Sequence, residues 1–128
     1  MPIRTLEQLH SARRLVKEWA DQLAFTSLES TKLVTAASEI GRNTLVHGGG
    51  GSMTIGELQA GARMGLQLVF EDSGPGILDI DQTMTDGFST AKSLGLGLGG
   101  ARRLVNEFEI SSEPAAGTRI TLRQWKRR

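Results

Sequence analysis

Four consecutive glycines, Gly48-Gly49-Gly50-Gly51, divide this chain into a part with a helical period and a part dominated by strands. A helix cannot propagate cheaply through such a run, and the run supplies the left-handed backbone that closes a helix at its C-terminus. Upstream, Thr5-Leu6-Glu7-Gln8 has capping-box spacing, and Leu6, Leu9, Ala12, Leu15, Val16, Trp19, Ala20 and Leu23 recur at helical intervals. Arg13, Arg14, Lys17, Glu18 and Asp21 fall mostly on the other side, toward solvent. Phe25-Thr26-Ser27 interrupts the pattern with Ser27 as the expected cap. A second helix is expected from about Leu28 to Val46, with Leu33, Ala36, Ala37, Ile40, Thr44 and Leu45 on its inner side.

Downstream, Ser52–Leu58 and Gly65–Glu71 alternate partially and read as an antiparallel pair joined through Gln59–Arg63. Asp72-Ser73-Gly74-Pro75-Gly76 is a turn that no regular element accommodates. Ile77–Ser93 reads as a long polar connection with at most a short helix near Asp79–Met84, and such connections often serve as lids or binding loops. A helix over Ala101–Asn106 then passes into Phe108–Ser112, a turn at Glu113–Gly117, and Thr118–Trp125, whose alternation is the cleanest strand signal in the chain. Helices followed by antiparallel strands indicate an α+β fold: a two-layer sandwich of one mostly antiparallel sheet with helices packed on one face.

At 128 residues the expectation is a single domain over 1–128, without repeats or linkers. Hydrophobic residues at 38% and charged residues at 23% exclude wholesale disorder. A formal net charge of +1 gives no field that recommends nucleic acid, and Lys126-Arg127-Arg128 reads as a short solvated basic tail. The absence of cysteine excludes disulfides and thiolate metal sites. With no signal-peptide core and no run of membrane-spanning length, a soluble cytoplasmic protein without a membrane partner is expected.

Leu94-Gly95-Leu96-Gly97-Leu98-Gly99-Gly100 runs straight into Ala101-Arg102-Arg103-Leu104. A glycine-rich loop that empties into a helix presents unpaired N–H groups and the positive end of the helix dipole, a seat for phosphate. Arg102 and Arg103 in the first turn would work against that dipole unless an anion were bound. The other reading is a flexible glycine-rich lid with two solvated arginines.

Glu39 and Asn43 lie four apart on the second helix and project from one face, with His47 extending the row. Asparagine supplies a neutral oxygen that can ligate a hard cation such as Mg²⁺, and a glutamate one turn away can orient or deprotonate a hydroxyl. The same spacing also suits a plain solvated face. His47 reads as a helix-end residue, and with His10 remote and no cysteine a zinc site has little support. Asp72 at a strand end can accept a hydrogen bond from an exocyclic amine while Gly74 and Gly76 let a flat base approach the backbone, although an Asx turn accounts for the same residues. Gly117-Thr118 opens the last strand and can bring a hydroxyl nearby.

The order Glu39-x3-Asn43, Asp72-x-Gly74-x-Gly76, Gly95-x-Gly97 and Gly117-Thr118 resembles the GHKL ATP-binding fold shared by histidine kinases, gyrase-type ATPases and anti-sigma-factor kinases. Within it, Ala37–Asn43, Asp72–Ile77, Asp86-Gly87-Phe88-Ser89-Thr90 and Leu94–Leu104 look like the small stand-alone switch kinases, of the RsbT type in stressosome signalling. The resemblance implies a serine/threonine kinase using ATP and Mg²⁺, with Asn43 ligating the metal and Glu39 as base or orienting carboxylate. It implies that Asp72 reads the adenine amine, that Gly74 and Gly76 shape the base pocket, and that Thr118 sits beside the adenine. Gly95, Gly97 and Gly99, with Leu96 and Leu98 between them, would close over the phosphates. The implied partners are a STAS-domain antagonist as substrate and a downstream regulatory phosphatase; a sigma factor is the alternative, and a nucleotide-binding module without transferase activity a further one. Gly99-Gly100 stands where a bulkier residue or proline is expected, and no motif assigns a role to Lys92.

Overall fold

In the computed structural model, which describes residues 1–74, 98–113 and 117–126, the helical part comes first and packs on one face of an antiparallel sheet. The elements are β1 (Pro2–Ile3), α1 (Leu6–Gln22), α2 (Ser27–Val46), β2 (Gly51–Ala60), β3 (Arg63–Asp72), α3 (Leu98–Leu104), β4 (Glu107–Glu113) and β5 (Gly117–Trp125). The five strands lie in the order β1-β2-β3-β5-β4, each antiparallel to its neighbour. The expected α+β layers are therefore present. β1 was not expected, because two residues are too short to show a period. The expected short helix near Asp79–Met84 and the connection over Ile77–Ser93 lie outside the described residues.

α1 begins where Thr5 Oγ1 accepts the Gln8 amide at 3.1 Å, while Gln8 Oε1 reaches the Arg4 amide at 2.7 Å, one residue ahead of a full capping box. Leu9, Ala12, Val16 and Ala20 are buried, and Leu15, Trp19 and Leu23 pack partly buried beside them. Leu6 departs from the expected stripe and is 61% exposed. At 3.6 residues per turn it lies roughly 75° from the centre of the buried stripe, on the side away from Leu15 and Trp19.

The cap of α2 is Thr26 rather than Ser27. Its Oγ1 accepts the Glu29 amide at 3.1 Å and Glu29 Oε1 accepts the Thr26 amide at 2.7 Å, a complete capping box. Only Thr26 has a glutamate three positions on; Ser27 has Ser30 there. Leu33, Ala36, Ala37, Ile40 and Thr44 are buried as expected. Gly41 lets the layers close, since a Cβ there would stand 2.5 Å from Leu9 Cδ1 and 3.6 Å from the Phe70 ring.

On the sheet, Met53, Phe70 and Ile120 stand in one register row and Ile55, Leu68 and Leu122 in the next, all on the helix side. Thr54, Val69 and Thr121 form the corresponding row on the opposite face. There Arg123 donates to Gln67 Oε1 at 2.8 Å and to Glu109 Oε1 at 3.0 Å, and the bond to Glu109 holds its guanidinium above the ordinary arginine range.

α3 starts three residues earlier than expected and ends at Leu104, with Leu98 and Ala101 buried. Arg102 and Arg103 consequently fall in its last turn, where cations complement the dipole, so no bound anion is needed to account for them. Thr26→Ala is expected to cost about 1 kcal/mol of stability and Ser27→Ala a few tenths at most, read from urea denaturation midpoints.

Candidate functional site

The site is built where the C-terminus of α2 meets the end of β3 and the start of β5. His47 N and Gly48 N donate to the Asn43 carbonyl at 2.9 and 3.1 Å, and Gly50 N donates to the Thr44 carbonyl at 2.9 Å. Gly49 at φ +74° and Gly50 at φ +103° take the left-handed backbone that this closure requires. The chain turns back at once into β2, with Gly51 opposite Asp72.

Gly48 is the contact that draws the elements together. A Cβ on it would strike the Asp72 carboxylate, and a Cβ on Gly74 would stand 2.8 Å from Gly48 Cα. A Cβ on Gly117 would likewise strike the Asp72 carbonyl. The four-glycine run, read from sequence only as a helix terminator, thus also provides the clearance that lets Asp72 sit against α2. Ordinary helix-ending glycines leave no sequence signal for this second role.

Asp72 Oδ1 accepts the Gly74 amide at 2.9 Å, so the Asx turn forms and spends one carboxylate oxygen on it. Asp72 pairs across the sheet with Thr118, and Thr118 with Ser112. Thr118 is buried, and its Oγ1 lies 3.0 Å from Ser112 Oγ, which also lies 3.3 Å from the Gly117 carbonyl as its donor. Ser112 was not anticipated; only the register of β4 on β5 brings it beside Thr118.

Asn43 is 4% exposed, and its Oδ1 is buried without a hydrogen-bond partner among the described residues. Leaving an amide oxygen buried and unpaired costs roughly 1–3 kcal/mol, so this atom fits a ligand that would satisfy it. A hard cation suits a neutral carbonyl oxygen. Among the described residues no three His, Cys, Asp or Glu side chains converge as a metal cage, so a cation here would lean on Asn43 and on oxygens brought by its own ligand. Glu39 is half-buried one turn earlier on the same helix. His47 forms the C-cap of α2 and is exposed.

Leu98 is 1% exposed and belongs to the core, so any part it plays toward a ligand falls to its main chain. Gly99 and Gly100 lie within the first turn of α3 rather than in the loop before it. Gly76, Gly95, Leu96, Gly97, Lys92 and the Asp86–Thr90 segment lie outside the described residues. Asp72 also borders a cavity of about 760 Å³ lined by Arg4, Gly48–Gly51 and Glu71, among others, which neither Asn43 nor Thr118 lines.

A family model described as the histidine kinase-like ATPase domain matches residues 4–124. The chain belongs to that family. It is 39% identical over 117 residues, covering 91% of this chain and 88% of the relative, to the serine/threonine-protein kinase RsbT of Bacillus subtilis (strain 168). It is 30% identical over 120 residues, covering 89% and 82%, to the anti-sigma F factor of Thermoanaerobacter sp. (strain X514). The anti-sigma F factor of Clostridium kluyveri (strain NBRC 12016) is 30% identical over 117 residues, covering 88% and 82%. Within the family, then, the chain is similar both to a serine/threonine-protein kinase and to anti-sigma F factors.

Gly48→Ala is expected to lower stability by about 1–3 kcal/mol through overpacking on Asp72 and to shift the Gly74 amide resonance. Gly56→Ala, where a Cβ meets nothing within 4 Å, is the control and should change stability by no more than about 0.5 kcal/mol.

Proposed function

We propose that this protein is a serine/threonine-protein kinase that uses Mg-ATP to phosphorylate a STAS-domain antagonist in the cytoplasm and acts by partner switching. The observation that carries the reading is the buried, unpartnered Asn43 Oδ1, one turn from Glu39 and joined through Gly48 to Asp72. No helix among the described residues is long and apolar enough to cross a membrane.

In this reading the free oxygen of Asp72 accepts the adenine amine, the glycines around it let the base lie on the backbone, and Thr118 lines the same pocket. Asn43 would hold Mg²⁺, which when bound neutralises charge on the phosphate oxygens. Glu39 orients the acceptor hydroxyl and takes its proton as that oxygen bonds to the γ-phosphorus; the bond from the γ-phosphorus to the bridging oxygen breaks and ADP leaves. Gly95, Gly97 and Gly99 would offer N–H groups to the phosphates. Phosphorylation then frees the kinase from the antagonist to engage a regulatory phosphatase. A second reading, sequestration of a sigma factor with the same site controlling release, draws on the anti-sigma F relatives.

Asn43→Ala is expected to weaken Mg-dependent ATP binding by at least about tenfold, measured by calorimetry with and without Mg²⁺. Asp72→Asn should lose about 1.5–3 kcal/mol of ATP affinity, and Glu39→Gln should bind ATP normally while transferring phosphate about 10²–10⁴-fold more slowly. If both Asn43→Ala and Asp72→Asn bind Mg-ATP like the parent, the site is misassigned. Affinity capture from native lysate with Mg-ATP, followed by mass spectrometry, separates the readings. A STAS-domain protein that gains phosphate and dissociates supports the switch kinase; a captured sigma factor supports sequestration.

A further inference from the structure

At the pole of the domain away from Asp72, a cavity of about 450 Å³ is lined by Leu28, Lys32, Arg63, Trp125 and Lys126, with Glu29 also in its wall. β3 runs from Arg63 to Asp72, so the two ends stand about 30 Å apart. The cavity brings together cations from separate elements: Lys32 on α2, Arg63 at the start of β3 and Lys126 just after β5.

Its frame is tied down. Arg63 lies over the Trp125 ring at 4.5 Å from the centroid, and Trp125 Nε1 donates to Glu107 Oε2 at 2.6 Å. Asn106 Oδ1 accepts the Trp125 amide at 2.7 Å and Gln124 Oε1 accepts the Asn106 amide at 2.9 Å. The carboxylates nearby are committed inside the domain: Glu29 Oε1 to the α2 cap, Glu107 to Trp125 and Arg123. Lys32, Arg63 and Lys126 form no ion pair among the described residues. Leu28, at the mouth, is 60% exposed.

We infer that this pole is a docking surface for an acidic segment of a protein partner, one that carries an apolar side chain among its carboxylates. Charge complementarity selects the acid, because three cations line the cavity against one lining carboxylate, Glu29, whose Oε1 is held by the α2 cap. Leu28 and the Trp125 ring select a segment with apolar contact, which a free phosphate cannot use. Cations spread over three elements suit several carboxylates along a chain rather than one point anion. The distance from Asp72 leaves the nucleotide end open while a partner is held here.

The test is an amide and indole NMR titration of the full chain with a short synthetic peptide of glutamates bearing one central leucine, with tripolyphosphate and a single-stranded oligonucleotide run in parallel. The expected result is peptide-induced shifts centred on Asn106, Gln124 and the Trp125 indole, weakened by added salt. The double variant Lys32→Glu/Lys126→Glu should bind the peptide about tenfold more weakly. Both side chains are outside the core, so its amide spectrum and its ATP binding should match the parent. Shifts centred elsewhere, unchanged affinity in the double variant, or tighter binding of tripolyphosphate or the oligonucleotide at the same residues would overturn the proposal.

Discussion

The close approach of the α2 C-terminus to the end of β3 is the constraint on which the candidate site of this molecule depends. Helices normally stand off a sheet by the depth of their side chains. Here Gly41 admits Leu9 and the Phe70 ring, and Gly48 admits the Asp72 carboxylate. With those gaps filled by neighbours, Asn43 is carried into the interior and its Oδ1 is left without a partner. The domain tolerates that cost of a kcal/mol or so because the surrounding packing over-determines the position.

The same approach organises the sheet side. Asp72 turns the chain through its own bond to Gly74, and its register partner Thr118 is buried beside Ser112. These polar groups extend the helix-side row of β3 that holds Leu66, Leu68 and Phe70. The core therefore ends in a polar rim, with the main chain of Gly74 and Gly117 close by. Such an edge suits a ligand that is flat at one end and anionic at the other.

The two poles differ in how their charge is handled. Around Asp72 one carboxylate oxygen is held by the Gly74 amide and the Ser112 and Thr118 hydroxyls pair with each other, whereas Arg63 lies over the Trp125 ring, which Glu107 and Asn106 tie down. β3 and α2 span both ends, so the poles share a rigid body.

The helices, the strands β2 to β5 and their buried faces were legible because burial on one side imposes a period, as Leu9, Val16 and Ile40 or Phe70, Ile120 and Leu122 show. Glu39, Asn43, Asp72 and Thr118 were legible as a spaced set through the family they resemble, and the family itself is established by relatives matched along most of the chain. What local sequence misjudged were ends: the cap at Thr26, the start of α3 at Leu98, and the place of Arg102 and Arg103 along the dipole. Capping and helix start depend on which hydrogen-bond partner is geometrically in reach, and α3 begins where Leu98 finds the core. The sequence by itself determined which residues alternate, which recur by turns and which are chemically able to bind. Only the tertiary structure decided that Gly48 faces Asp72, that Ser112 joins Thr118 and that Asn43 is buried unpaired, because those facts arise from packing between segments far apart in the chain.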